Sequence, residues 1–178
     1  MSKKREQLLA QSERLFDQHG FHAVGLKQVI KEAEISLMTM YNHFESKEAL
    51  ILEILKKREA RYLQKLNQFT EKKNGKTFML ALAEAHLNWI RENGSNGCMF
   101  LRAKEEYSLA KTEQSAIVLF ADQHKHRLTA FISNKGFTKE EAIRVMIILE
   151  GATAMAEVFD VEEVATGVTR TMKALCTD

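Results

Sequence analysis

The chain has 178 residues, with 26 Lys and Arg against 24 Asp and Glu for a formal charge of +2, no proline and two cysteines. That length buries a core without covalent staples, and Cys98 and Cys176, far apart and in no metal or redox motif, read as ordinary reduced thiols rather than a redox switch. No apolar run approaches the roughly 20 residues of a membrane span, and no signal-type apolar region follows the charged Met1–Gln7, so a cytoplasmic protein without a membrane partner is expected.

With proline absent, glycine sparse and Leu, Ala, Glu and Lys prominent, the expected class is all-α, with about nine helices. Charge is uneven. Lys3, Lys4 and Arg5 cluster near the start, and Lys56, Lys57, Arg58, Arg61, Lys65, Lys72, Lys73 and Lys76 dominate the middle. The later part holds Glu140, Glu141, Glu150, Glu157, Asp160, Glu162 and Glu163. Such asymmetry fits one end facing phosphate, and a solvated helix face accounts for the middle run equally well.

In chain order, Lys3–His19 reads as the first helix, with Leu8, Leu9, Ser12, Leu15, Phe16 and His19 at helical spacing and Gly20 as its stop. Phe21–Gly25 links it to a short amphipathic helix, Leu26–Ala33, carrying Leu26, Val29, Ile30 and Ala33 on one side. Glu34-Ile35 interrupts that helix. Ser36 is placed to cap a second short helix, Leu37–Phe44, whose Met40 and Phe44 pack inward, and Ser46 caps a longer helix from Lys47. Two short helices joined by a tight turn are the layout of a helix-turn-helix, whose second helix must fit a major groove about 12 Å wide.

The residues Leu15-Phe16, Gly20-Phe21, Val29, Ala33, Ile35-Ser36 and above all the run Thr-x-Tyr-x-His-Phe-x-Ser-Lys-Glu at 39–48 carry a resemblance. The stretch from Leu8 to Leu50 resembles the N-terminal DNA-binding domain of the TetR family of transcriptional regulators, and residues 97–107 bear a fainter likeness to some of its members. The resemblance implies a helix-turn-helix domain over 1–50 and a helical ligand-binding and dimerisation domain over 51–178. It also implies that Tyr41, His43 and Lys47 bind phosphate. By side-chain chemistry Thr39 and Asn42 suit base edges or phosphates, and Met38 and Leu37 offer only apolar contacts, for instance to thymine methyls; Lys27 and Ser36 complete the expected DNA-binding set. A buried structural histidine is the competing reading of His43, and plain helix-end solvation that of Lys47. The chain departs from the family at Val24-Gly25, where a Thr pair is usual, at Ile30, where a small residue is common, and at Glu34, which replaces a glycine. A left-handed Glu34 costs roughly 1 kcal/mol.

Lys47–Glu71 reads as one long helix with Leu50, Ile51, Ile54, Leu55, Tyr62, Leu63, Leu66 and Phe69 as its apolar stripe, and Lys72-Lys73-Asn74-Gly75 as the linker after it. By resemblance it transmits movement between a ligand site and the DNA-reading heads. Helices follow over Lys76–Glu92 and Cys98–Ser108, separated by the loop at 93–97. A family-type ligand pocket is expected from His86, Trp89, Met99, Phe100, Arg102 and Tyr107, against the alternative of a packed core with Arg102 and Tyr107 at its edge. Thr112–Asn134 is a further helix. Its His124 and His126, two apart, diverge by roughly 200° and do not share a metal ion.

Thr138-Lys-Glu-Glu141 is a capping box opening a helix over Lys139–Phe159 that is apolar nearly all round. A chain this small has little left to cover its second side. A homodimer interface built on Ile147, Ile148, Gly151, Ala152, Met155 and Phe159, joined by Val168 and Met172 from the last helix (161–175), is therefore expected, with a buried central core helix as the alternative. The resemblance agrees, since family members pair through a four-helix bundle. Together these readings predict a homodimeric repressor, with two heads reading half-sites roughly 34–36 Å apart on a palindromic operator and released by a small-molecule ligand of unknown identity. A ligand-independent regulator or activator controlled by a protein partner is the alternative. No nucleophile elbow, phosphate loop or metal-spaced His/Glu set supports an enzyme, and no cofactor or metal is implied.

Overall fold

A computed structural model describes residues 3–108 and 115–175. Cys176 and the expected helix start at Thr112 lie outside them. Among the described residues there are nine helices and no strand: α1 (Lys3–His19), α2 (Leu26–Glu32), α3 (Leu37–His43), α4 (Lys47–Thr70), α5 (Gly75–Asn93), α6 (Met99–Ser108), α7 (Ala116–Ser133), α8 (Lys139–Met155) and α9 (Val161–Leu175). They fall into two compact units. One takes the described residues of Met1–Arg58 and Met99–Asp122, the other those of Glu59–Cys98 and Gln123–Asp178. The division expected after residue 50 falls inside α4, and nothing in the sequence placed 99–122 with the N-terminal helices.

In the first unit, α1 stops where Gly20 takes φ +84°, a left-handed backbone that its missing Cβ permits. Leu8, Leu15 and Phe16 from α1, Phe21 and Val24 from the link, Val29 from α2, Met40 and Phe44 at α3, and Leu50, Ile51, Ile54 and Leu55 from α4 are all buried. His19, expected at the inner face of α1, is exposed; Asp17 is buried instead. Its carboxylate lies 3.1 Å from the Arg58 guanidinium, which also donates to Glu13 at 2.9 Å. Part of the basic run of the middle chain is thus engaged within each unit, since Lys57 also pairs with Glu6 and Lys65 with Glu92.

The turn between α2 and α3 shows what replacing glycine requires. α2 ends at Glu32 with Ala33 as its cap, and Glu34 sits at φ +51°, in the left-handed region. Gly25 stands at the N-cap of α2 with no side-chain bond to offer, so the capping absent from Val24-Gly25 is not replaced by a side chain there. α3 ends at His43 rather than Phe44, whose extended backbone turns its ring into the core.

In the second unit, Tyr62 and Leu66 of α4, Phe78, Leu82, Ala85 and Ile90 of α5, Leu128 and Ile132 of α7, Val145 and Leu149 of α8, and Ala165, Val168 and Met172 of α9 form one buried cluster. The capping box forms as the sequence predicts: Thr138 accepts from the Glu141 N–H, and the Glu141 side chain accepts from the Thr138 N–H at 2.7 Å. α8 ends at Met155, short of the expected Phe159.

Ser12 is fully buried on α1, and its hydroxyl has no hydrogen-bond partner. Deleting an unsatisfied buried hydroxyl removes a desolvation cost and favours helix. Ser12→Ala is expected to stabilise the protein by about 1 kcal/mol. Thermal denaturation checks this as a rise in Tm of roughly 2–4 °C.

A candidate DNA interface and the helix that holds it

α3 is fixed from both ends. The Ser36 hydroxyl accepts the Thr39 N–H at 3.1 Å and lies 2.9 Å from the Thr39 hydroxyl, setting the start of the helix. Met40 and Phe44 anchor its inner side. Four apart on the helix, they leave the opposite side to solvent, where Met38 is 70% exposed, Tyr41 47% and Leu37 45%. Asn42 is exposed beside them, as are Ser36 and Lys27 on the neighbouring elements; Thr39 and His43 are half-buried. All eight residues expected to meet DNA, the half-buried Lys47 included, therefore reach the surface of the first unit at least in part.

Lys47 does something else. Its ammonium donates to the Phe21 carbonyl at 2.6 Å and sits 5.7 Å from the centre of the Phe16 ring. Burial pushes its pKa below the ordinary lysine value, against the pull of the Glu48 and Glu106 carboxylates. The chain around Phe21 is held from a second direction by α6. The Glu106 carboxylate accepts the N–H of Phe21 at 3.0 Å and that of His22 at 2.5 Å. One turn earlier, Arg102 donates to the Asp17 carbonyl at 2.7 Å, at the end of α1. Tyr107 packs edge-on against the rings of Phe21 and His22. Gly20 is required here twice over, because a Cβ would come within 2.8 Å of the Glu106 carboxylate as well as straining the positive φ.

These contacts reassign three side chains. Lys47, expected at phosphate, bonds the segment between α1 and α2 while staying partly exposed; of the two side chains expected in a ligand pocket, Tyr107 packs on that segment and Arg102 bonds the last turn of α1. Sequence reasoning missed Glu106 altogether. The one available signal was its spacing: Arg102 and Glu106 are four apart, so both project from the same side of α6. Met99 and Phe100, also expected to line a pocket, are buried in this first unit.

His86 and Trp89, the remaining pocket candidates, belong to the second unit. Trp89 packs edge-on against Tyr62 at 5.2 Å between ring centres. The Tyr62 hydroxyl lies 2.7 Å from His86 Nδ1, His86 Nε2 lies 3.0 Å from the Thr153 hydroxyl, and Thr153 donates to the Leu149 carbonyl at 3.2 Å. Because the Thr153 proton goes to Leu149, Nε2 must donate to Thr153, and Nδ1 must accept from Tyr62. Burial lowers the His86 pKa to about 4 and raises that of Tyr62, so both are neutral. Beside them, His124 Nδ1 lies 2.7 Å from Glu59, which also accepts from Arg127. Burial lowers the His124 pKa; at Glu59 burial acts to raise it, but bonds from His124 and Arg127 bring it below the usual carboxylate value. His126 is exposed on another side of α7.

On the expected dimer face, α8 and α9 divide the residues. Ile147 is 66% exposed, Phe159 55% and Met155 47%, with Gly151 exposed and Ile148 half-buried. Ile148, Gly151, Met155, Phe159, Val164 and Gly167 line an open apolar groove between the two helices. Ala152 and Val168 are buried at its floor, and Met172 is wholly buried in the core of its own unit. Met172 is therefore corrected from interface to core: α9 turns it toward α5 and α8, and no surface of it is left to meet a partner.

Residues 8–54 match the family described as bacterial regulatory proteins, tetR family. The chain is 33% identical over 105 residues to the HTH-type transcriptional repressor NemR of Escherichia coli K12, an alignment covering 57% of this chain and 53% of NemR. It is 36% identical over 64 residues to the E. coli K12 regulator UidR, covering 36% of this chain and 33% of UidR. The matched segments thus span about half or less of these relatives. Among solved structures, a TetR-family regulator from Streptomyces coelicolor superposes with a TM-score of 0.88 at 22% identity, covering 98% of this chain and 89% of that one. The reduced form of E. coli NemR gives 0.78 at 23% identity, covering 97% and 96%. At these identities the structures establish the fold. No helix among the described residues is long and apolar enough to cross a membrane.

The two buried histidines set a pH dependence. With folded pKa values below the unfolded value near 6.5, the unfolded chain binds protons that the folded chain refuses, so stability falls as pH falls from about 6.5 toward 4. Each histidine contributes up to about 1.4 kcal/mol per pH unit within its window. Urea unfolding between pH 7.5 and 4.5 is expected to show this slope, and His86→Gln to flatten it.

Proposed function

Through residues 8–54 the chain belongs to the TetR family of transcriptional regulators, and we propose that it works as a homodimeric repressor that a small molecule releases from a palindromic operator. The observation that carries the DNA-binding part is α3: a capped, core-anchored helix whose outward side presents Leu37, Met38, Tyr41 and Asn42 at the family's recognition position. Asn42 pairs with base edges. Lys27, Ser36, Tyr41 and the half-exposed Thr39 and His43 set the register on the phosphates, while Lys47 supports them from behind through Phe21. That NemR is a repressor supports the sign of the effect.

Two chains associate through the apolar groove of α8 and α9, with Ile147, Ile148, Gly151, Met155 and Phe159 meeting their symmetry mates. Bare apolar side chains of this size on adjacent helices are costly to leave in water, and a twofold pairing covers them at once. The effector binds in the second unit next to His86 and Trp89 and prefers the form with lower DNA affinity, so induction is a population shift set by its differential affinity.

Retention by duplex DNA selected from a random pool tests the reading. Asn42→Ala is expected to relax preference at one position of each half-site, at about 1–3 kcal/mol. Lys27→Ala should weaken all sequences alike and reduce the salt slope by about one. Phe159→Lys should halve the mass in solution and abolish tight binding. A protein that retains no duplex at low salt, or binds with full affinity as a Phe159→Lys monomer, contradicts the proposal.

A further inference from the structure

The side of α3 that faces outward is chemically unusual for a base-reading surface. Leu37–His43 holds no Arg or Lys, the side chains that read guanine by donating two hydrogen bonds to O6 and N7. Among the large apolar side chains of the helix Met38 is the most exposed, and Leu37 beside it is nearly half exposed. Both sit in the first turn, the part of a recognition helix that meets base edges. Met40, the other apolar residue of the stretch, is fully buried, so the core has taken one methionine and left Leu37 and Met38 outside. The polar groups nearby are limited. The Ser36 and Thr39 hydroxyls are bonded to one another at 2.9 Å, which leaves Asn42 as the exposed amide on this face.

Large apolar side chains in the first turn of such a helix have one counterpart in the major groove, the C5-methyl of thymine. An exposed Asn has its best counterpart in adenine, which offers an N7 acceptor and an N6 donor. We infer that Leu37 and Met38 determine specificity by packing on thymine methyl groups, and that the operator half-site is A·T at the base pairs under the first turn of α3, with Asn42 reading an adenine. The inference rests on α3 being the helix in the major groove. Within that reading it names the bases. Methionine is suited to the role because its flexible, polarizable thioether adapts to a methyl surface without a fixed partner geometry.

The test uses the full-length protein and the duplex it selects from a random pool. Each thymine of the half-site is replaced in turn by deoxyuridine, which removes the C5-methyl and leaves every hydrogen-bonding edge unchanged. At one or two positions the affinity of the unaltered protein is expected to fall about three- to fivefold, the worth of one buried methyl. Met38→Ala and Leu37→Ala, both at exposed positions, should each bind the thymine duplex more weakly and no longer distinguish it from its deoxyuridine counterpart at the position that side chain covers. Asn42→Ala should lose its preference at an adenine and keep the methyl effect.

Deoxyuridine tolerated at every position with full affinity overturns the inference while leaving the DNA-binding reading in place. So does a selected half-site with G·C under the first turn, or a methyl effect retained in both the Met38 and Leu37 variants. If no duplex is selected at all, the reading of α3 fails and the inference falls with it. Because the deoxyuridine series needs only the unaltered protein, the result does not depend on how any variant folds.

Discussion

The Glu106 carboxylate ties the end of α6 to the backbone between α1 and α2, and the arrangement of the first unit turns on it. Phe21 and His22 follow a helix stop and precede a helix start, so their N–H groups have no ladder to join. A carboxylate from 84 and 85 positions away accepts both, and the Lys47 ammonium on the Phe21 carbonyl supplies the opposite charge to the same few atoms. Arg102 adds a bond to the last turn of α1. The Phe21 N–H is partly buried, and leaving a buried group of this kind unpaired costs about 1–3 kcal/mol, whereas the exposed His22 N–H has water as an alternative partner. α2 begins four residues after His22 and α3 packs on α2, so the aim of the exposed α3 side chains depends on where α6 holds Phe21. In the first unit α1, α2 and α3 are clamped by α6, together with the first half of α4.

How much of this was legible in the sequence depended on the range of the interaction. The Ser36 cap, the Thr138–Glu141 box, the Gly20 stop and the left-handed Glu34 are settled within four residues, and the chain states them openly. The contacts that Lys47, Arg102 and Tyr107 make within the first unit were not legible, for a physical reason. A lysine at a helix start beside a recognition helix looks the same locally whether its ammonium meets a phosphate or a backbone carbonyl. Only the partner, brought in by the fold, distinguishes the two. Arg58 shows the same limit: in a run of basic residues it read as solvated, yet it is buried against Glu13 and Asp17.

The apolar helix α8 illustrates a further limit. Its composition says that both sides need cover without saying which side the chain itself provides. The fold covers Ala152, with Val168 and Met172 from α9, and leaves Ile147, Met155 and Phe159 bare. Periodicity cannot make that division, because it depends on where α5 and α9 come to lie. The polar chain through Tyr62, His86, Thr153 and Leu149 was equally hidden: Tyr62 read as one more member of an apolar stripe, and Thr153 carried no signal at all.

The clamp is open to direct measurement through amide hydrogen exchange at Phe21 and His22 in the full-length chain and in Glu106→Ala. Both amides are predicted to be protected in the unaltered protein and to lose that protection together in the variant, while the amides of α5 and α8 are unchanged. Exchange at loop rates in the unaltered protein, or protection that survives the loss of the carboxylate, would contradict the view that α6 holds α2 and α3 in place.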